Sequence, residues 1–194
     1  MNLLFSIPIT IVTAAVMWTF AEYAMHHWNG HLMKGRTDFS REHLKHHATR
    51  GYMAPDWKKV LTAVVVSIFL TPASIWLLGA LLGVVFSVSF IGSYLFYEWL
   101  HLHAHQYPPT GAYSRWVRKH HFAHHFNNPK HNHGVTTFIW DWVFGTLKPV
   151  SMVRVPERMA MVWLCDSETG EVYAEYANDY RLMCPHQKRA RGAV

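Results

Sequence analysis

The sequence predicts an all-α integral membrane protein with three to four transmembrane helices and a helical cap on the cytosolic side. Hydrophobic residues make up 51% of the 194-residue chain and charged residues only 15%, whereas a soluble domain carries about 25% charged residues. Histidine occurs 16 times, more often than Asp and Glu together, which occur 12 times. A membrane domain explains the apolar composition, and the histidines require a separate explanation.

The first span is predicted from residues 2–21, which contain no acidic or basic side chain. A helix needs about 20 residues to cross the hydrocarbon core. Pro8 lies early in this run, where a helix tolerates it or bends around it. A secretory signal peptide is the competing interpretation, but the run lacks a positive n-region and continues into Glu22 without a small-residue cleavage pattern. A retained transmembrane helix is favoured.

The second uncharged run, residues 60–97, is nearly twice the length of one span. Gly79 and Gly83 lie at its middle and predict two helices joined by a tight apolar turn, with Pro72 as a kink in the first helix. One long buried helix is the alternative, and the length and the paired glycines argue against it.

The distribution of charge predicts the orientation in the membrane. Every Lys and Arg lies in residues 22–59 or 98–194, and so does every histidine. By the positive-inside rule both segments face the cytoplasm, at the plasma membrane of a bacterium or the endoplasmic reticulum of a eukaryote. The net charge of +6 comes from singly scattered residues, so no nucleic-acid partner is expected.

Residues beyond the third span are expected to leave the membrane. Residues 114–126 predict a short basic helix, and residues 138–144 are aromatic enough to lie at the interface or to re-enter it as a fourth hydrophobic segment. From residue 151 the chain resembles a cytosolic tail with a small hairpin whose turn is residues 166–170. Cys165 and Cys184 are expected to be free thiols, since no C-x-x-C pair is present.

Four histidine clusters predict a di-metal centre in the cap. Residues three and four apart share one face of a helix, and imidazole nitrogen suits iron, zinc and copper. Ten imidazoles exceed what one metal holds, so we expect two metals, each with four or five nitrogen ligands. The clusters have the patterns H-x-x-x-x-H, H-x-x-H-H, H-x-x-x-H and H-x-x-H-H, and their members are His26, His31, His43, His46, His47, His101, His105, His121, His124 and His125.

Other polar residues near the clusters leave alternatives open. The remaining histidines His27, His103, His120 and His186 are expected to be polar interfacial residues. Candidates for additional ligands or supporting roles are His131, His133, Glu22, Glu98 and Asp141. The two glutamates either orient metal-bound imidazoles or mark the membrane boundary. No H-E-x-x-H motif is present, and one E-x-x-H at residues 98–101 is too few for a carboxylate-bridged di-iron bundle.

Three motifs resemble the fatty acid hydroxylase superfamily of membrane di-metal oxygenases. They are K-H-H-F-A-H-H at 119–125, G-V-T-T at 134–137 and W-D-x-x-F-G-T at 140–146, and the resemblance covers residues 22–147. It implies a catalytic domain over residues 1–150 and metal-ligand roles for the ten clustered histidines. It also implies two iron ions, with zinc as an alternative in purified protein, dioxygen as co-substrate, and a separate electron donor, a b-type cytochrome or a ferredoxin with its reductase.

The predicted function is dioxygen-dependent hydroxylation of an unactivated C–H bond in a membrane lipid. A fatty acyl or sphingolipid chain is favoured, because His31 and His43 stand further apart than in carotenoid hydroxylases, and because sterol enzymes are generally longer. A sterol or carotenoid oxygenase or desaturase is the alternative. A metal transporter or metal store is disfavoured, because residues 60–97 contain no charged side chain.

Overall fold

Three long apolar helices dominate the fold. In the computed structural model, which describes residues 2–183, they are α1 (Leu3–Ala24), α3 (Asp56–Leu78) and α4 (Ala80–Gln106). Each is long and apolar enough to cross a membrane, and the first continues to Leu32. The predicted class, an all-α membrane protein, is confirmed. Cys184 and His186 lie outside the described residues.

The second and third spans are joined by one residue, Gly79. Its φ of 81° lies in the left-handed region that favours glycine. Gly83 has a different role from the one the sequence suggested, because it lies inside α4 rather than in the turn. A Cβ there would come within 2.4 Å of the Ile75 backbone, so this glycine lets α3 and α4 approach closely.

The first span changes its winding where it leaves the predicted bilayer. Residues Met25–Leu32 form a π-helical turn that continues directly from α1. Gly30 does not break the helix, which widens there and ends after Leu32. Helix α2 (Asp38–Ala48) then begins at the N-cap residue Thr37, whose side chain accepts a hydrogen bond from Ser40 N.

The cap continues with short helices. Helix α5 (Ala112–Phe122) runs into a second π-helical segment, Ala123–Asn127, in place of the single helix predicted over 114–126. Helix α6 (Ile139–Val143) has five residues, too few to span a membrane. The described residues therefore contain three candidate spans and no fourth. Helix α6 lies against α1, where Trp140 Nε1 donates to Thr19 Oγ1 at 2.9 Å.

The C-terminal region contains a feature that the sequence did not predict. Strand β1 (Val153–Pro156) pairs in parallel with β2 (Tyr180–Met183). The predicted hairpin is reduced to one antiparallel bridge between Cys165 and Val172. This region packs on the cap, because Trp163 and Phe122 share one buried cluster. A domain boundary at residue 150 stays a prediction.

Candidate metal centre

The ten clustered histidines converge at one end of the helical bundle and divide into two groups of five. Within each group, one nitrogen from every ring lies within 4.8 Å of the others. The first histidine group consists of His26, His31, His43, His47 and His124, and the second histidine group consists of His46, His101, His105, His121 and His125. That these residues bind metal stays a prediction.

Each H-x-x-H-H motif is divided between the two groups. In α2, His43 and His47 belong to the first group and His46 to the second; in the other motif, His121 and His125 belong to the second group and His124 to the first. On an α-helix, a spacing of four displaces a side chain by about 40° around the axis from its partner, whereas a spacing of three displaces it by about 60° in the opposite sense. Both motifs therefore lie between the two groups and contribute to each.

The π-helical turn explains how His26 and His31 reach one site. Residues five apart diverge on an α-helix, but a π-helix bonds residue i to residue i+5 and brings them one above the other. The two rings are accordingly stacked, with centroids 5.4 Å apart. Gly30 supports this arrangement, since a Cβ there would meet the His43 ring at 2.9 Å.

The hydrogen bonds of the first group determine which ring nitrogens carry lone pairs. His26 Nδ1 donates to the carbonyl of His133, and His124 Nδ1 donates to the carbonyl of His131 at 2.7 Å. Because a carbonyl only accepts, both Nδ1 atoms carry the proton, and in neutral rings both Nε2 atoms carry lone pairs. These two Nε2 atoms face each other at 2.9 Å. Facing lone pairs repel unless they share a cation, so this arrangement fits a metal ion.

The spacing between ring nitrogens fits the same conclusion. His31 Nε2 lies 2.9 Å from His43 Nε2 in the first group, and His105 Nε2 lies 2.9 Å from His121 Nε2 in the second. With metal–imidazole bonds of about 2.0–2.1 Å, ligands at right angles have nitrogens about 3 Å apart. His121 Nδ1 and His125 Nε2 are buried without a hydrogen-bond partner in the described residues.

Burial keeps the imidazoles neutral. Desolvation, and then the neighbouring imidazoles, lower the pKa of His43, His121 and His125 well below the usual 6.5. The same causes lower the pKa of His47 to about 2, and burial lowers that of His46 to about 4. The neutral ring is the form that ligates a metal. The cluster is therefore ready to bind cations at neutral pH.

Asp141 holds the loop that supports the first group. Its carboxylate is fully buried and accepts hydrogen bonds from the backbone N–H groups of His133 and Gly134, both at 2.8 Å, and from Thr146 Oγ1 at 2.7 Å. Burial alone would raise the pKa of Asp141, but these hydrogen bonds and the contact with His120 hold it below its usual value. Asp141 thereby fixes the backbone whose His133 carbonyl orients His26.

The two candidate glutamates have other partners. Glu22 accepts from the backbone N–H groups of Val135 and Thr136 at 2.6 and 2.9 Å, and so ties α1 to the same loop. Glu98 pairs with Lys59 at 3.3 Å. The hydrogen bonds described for the two glutamates go to loop N–H groups, Thr136 and a lysine and not to the clustered histidines, so a role in orienting metal-bound imidazoles stays a prediction.

The remaining histidines within residues 2–183 lie outside both groups. The His133 ring packs against His27, with Nδ1 atoms 3.1 Å apart. His120 is buried and contacts Asp141 at 3.3 Å, so it is not the interfacial residue expected. His103 Nδ1 donates to Trp99 O on its own helix. Sequence analysis did not predict a role for Tyr52, whose carbonyl accepts from His46 Nδ1 at 2.7 Å.

Comparison with known proteins finds a family model and curated relatives that match most of the chain. A family model described as "Fatty acid hydroxylase" matches residues 11–146. The chain is 31% identical over 158 residues to the ceramide very long chain fatty acid hydroxylase scs7 of Schizosaccharomyces pombe, covering 75% of this chain and 44% of that protein. It is 30% identical over 147 residues to the fatty acid 2-hydroxylase of Rattus norvegicus, covering 71% and 39%.

A solved structure shares the fold. The structure described as full-length scs7p, with only the hydroxylase domain visible, superposes with a TM-score of 0.60 at 23% identity, covering 77% of this chain and 58% of that one. The chain therefore spans less than half the length of the two curated relatives above and a little over half of the solved chain.

Proposed function

The chain belongs to the fatty acid hydroxylase family, and from that premise we propose that it hydroxylates an unactivated C–H bond of a membrane lipid with dioxygen at a pair of irons. The observation that carries the proposal is the division of ten buried or half-buried histidines into two five-nitrogen groups, with Nε2 lone pairs of His26 and His124 facing each other. Imidazole ligands suit iron, and five leave a coordination position for a small molecule.

The residues of the chain have defined roles in this proposal. The first and second histidine groups each hold one iron, and iron bound there supplies the dioxygen activation that attack on an unactivated C–H bond requires. Zinc cannot change oxidation state, so zinc-loaded protein is expected to be inactive. The carbonyls of His131, His133 and Tyr52 orient three of the imidazoles. The protein thus contributes positioning, while the metal contributes the redox chemistry.

The substrate proposal is the acyl chain of a fatty acid or ceramide. The two relatives above are called a ceramide very long chain fatty acid hydroxylase and a fatty acid 2-hydroxylase. The names support acyl chemistry over sterol or carotenoid chemistry, and carbon 2 as the position attacked. Three apolar candidate spans beside the histidines would let such a chain reach the centre from the bilayer.

Each turnover needs a partner to supply electrons. Converting C–H and O₂ to C–OH and water consumes two electrons and two protons, which we assign to a separate b-type cytochrome or ferredoxin. The distribution of Lys and Arg supports a cytoplasmic position for the centre, so the donor is expected there.

Lipid mass spectrometry of cells with and without the protein tests the proposal. We expect acyl lipids heavier by one oxygen, with the new hydroxyl at carbon 2, in cells that express the protein. A His125→Ala variant expressed at the same level is the control and is expected to lack the product. Unchanged lipids in cells that contain iron-loaded protein and a competent electron donor would contradict the proposal.

A further inference from the structure

The three candidate spans leave a groove between two of them. Helix α4 packs along both α1 and α3, whereas α1 and α3 barely contact each other. A cleft therefore runs along the bundle with α1 and α3 as its walls and α4 as its floor. We call this cleft the α1/α3 groove.

Two cavities lie in this groove, and a third continues their line towards the histidines. A cavity of about 500 Å³ borders Leu82 and Phe86 at the end remote from the histidines, and one of about 140 Å³ borders Phe90 and Tyr94 in the middle. The third, of about 70 Å³, borders Tyr97, Glu98 and His101 of α4, and α2 rather than α1 forms its opposite wall. The residues of α4 at 86, 90, 94, 97 and 101 are three or four apart, so they share one face of the helix. The cavities thus follow a single line.

The third cavity reaches both histidine groups. It is lined by His43 of the first group and by His46 and His101 of the second. At the same level Lys59 and Glu98 form an ion pair at 3.3 Å, with their side chains 17% and 22% exposed. The groove is therefore apolar along the bilayer and becomes charged where it meets the candidate metal centre.

The dimensions of the groove favour one occupant. From Leu82 to His101 it extends about 30 Å at 1.5 Å per residue, which matches the thickness of the hydrocarbon core. The side chains that line the middle cavity are apolar except for those of Thr62, Trp18 and Tyr94, which each carry one polar group. Such a groove suits an extended hydrocarbon chain with one polar end, and it does not suit a polar or compact ligand.

We infer that the α1/α3 groove binds the acyl chain of the lipid, with the polar end at Lys59 and Glu98 and the methyl end towards Leu82. This inference rests on the proposed function for the identity of the ligand. The orientation presents carbons near the polar end to the two histidine groups. The length accommodates an acyl chain that passes the midplane of the bilayer, so very long chains make the most contacts with the groove.

Photo-crosslinking with two fatty acyl amide probes tests the inference on the whole protein. One probe carries a diazirine near the amide, and the other carries it near the methyl end of a lignoceroyl chain. We expect the first probe to label residues 94–101 and the second to label residues 5–13 and 70–82, both mapped by peptide mass spectrometry. Reversed labelling, or equal labelling of the outward-facing Val64, would overturn the inference.

A matched pair of variants sharpens the test. Ala63 lines the groove, whereas the adjacent Val64 is 48% exposed and does not. We expect Ala63→Phe to lower labelling by about 10-fold, because an added ring overfills the middle cavity, and Val64→Phe to leave it unchanged. Ala73 lines the remote cavity, about 15 Å further along α3, where only a long chain is expected to reach. Ala73→Phe should therefore lower labelling by lignoceroyl probes and leave labelling by shorter myristoyl probes unchanged.

Labelling does not depend on turnover, which separates this inference from the proposed function. Groove-specific labelling in a protein that yields no hydroxylated lipid would leave the inference standing and refute the activity. Conversely, the protein could hydroxylate lipid while Ala63→Phe and Ala73→Phe change neither the labelling nor the chain-length preference. That result would refute the inference and leave the activity standing.

Discussion

The two histidine groups contain the same number of imidazoles but are supported differently. In the first group, His26 and His124 donate to carbonyls of the loop at residues 131–133, and Asp141 fixes that loop in turn. In the second group, His46 donates to a carbonyl, while His121 Nδ1 and His125 Nε2 are buried with no hydrogen-bond partner among residues 2–183. We infer that the cap preorganises the first group, whereas the second group would depend more on a bound metal for its order.

The groups also differ in access. A cavity of about 100 Å³ borders His46, His105 and His125 of the second group, with Arg50 and Met161 on its other walls. It is distinct from the cavities of the α1/α3 groove, although His46 also borders the third of these, and it is formed partly by the C-terminal region. A metal in the second group therefore lies beside a solvent-sized space, and we expect it to exchange more readily than a metal in the first.

The largest expected effect comes from removing one ligand from each group. His47→Ala in the first group and His105→Ala in the second are each expected to lower the metal content from two ions per chain to one. Both should lower hydroxylation by more than about 100-fold, since even residues that only orient ligands cost 10–100-fold. Elemental analysis of folded protein and product formation measure these effects.

The metal content of these two variants also shows whether the two histidine groups bind metal independently. If His47→Ala and His105→Ala each lose both ions, the two groups do not bind independently, and the comparison above fails. Full activity in either folded variant would remove that histidine from the ligand set.

Asp141→Asn separates the supports of the two groups. An amide cannot accept from His133 N, Gly134 N and Thr146 Oγ1 together, so the loop that orients His26 and His124 should shift. We expect the first group to lose about 10–100-fold in metal affinity, measured by competition with a chelator, while the second changes little. Glu168→Gln, which changes an exposed carboxylate to an amide, is the control. An equal loss in both groups would show that Asp141 acts through overall folding.

The difference in access predicts the order of metal removal. His105→Ala is expected to retain the first-group ion alone and His47→Ala the second-group ion alone. A chelator should strip the His47→Ala variant faster, because its remaining ion borders the 100 Å³ cavity. Stopped-flow chelation with a coloured indicator measures both rates. Equal rates, or faster loss from His105→Ala, would contradict the assignment of the second group as the exchangeable one.

The sequence predicted the spans because long uncharged runs have one physical explanation, and it predicted the clusters because histidine spacing is visible directly. It did not predict how the rings divide. That division depends on helix–helix positions, which bring His124 to the first group while its neighbour His125 joins the second. The π-helical turn and the carbonyl of Tyr52 left no sequence signal, since backbone acceptors carry no residue identity. The parallel pairing of β1 and β2 was not predicted, because it joins two four-residue segments that lie far apart in the chain.

The smallest expected effect tests the boundary of the centre. His103 lies two residues from both His101 and His105, which turns it to roughly the opposite side of α4. Its ring packs against that of Trp99, tilted by 34° with ring centroids 4.3 Å apart, and its Nδ1 donates to Trp99 O at 2.8 Å, so these contacts lie within its own helix. Arg118 donates a hydrogen bond to the backbone carbonyl of His103, and an alanine at position 103 retains this carbonyl. We therefore expect His103→Ala to keep two metals and activity within about twofold, since surface substitutions change stability by about 0.5 kcal/mol or less. Metal loss equal to that of His105→Ala would place His103 inside the centre and invalidate the helical-face argument on which both groups rest.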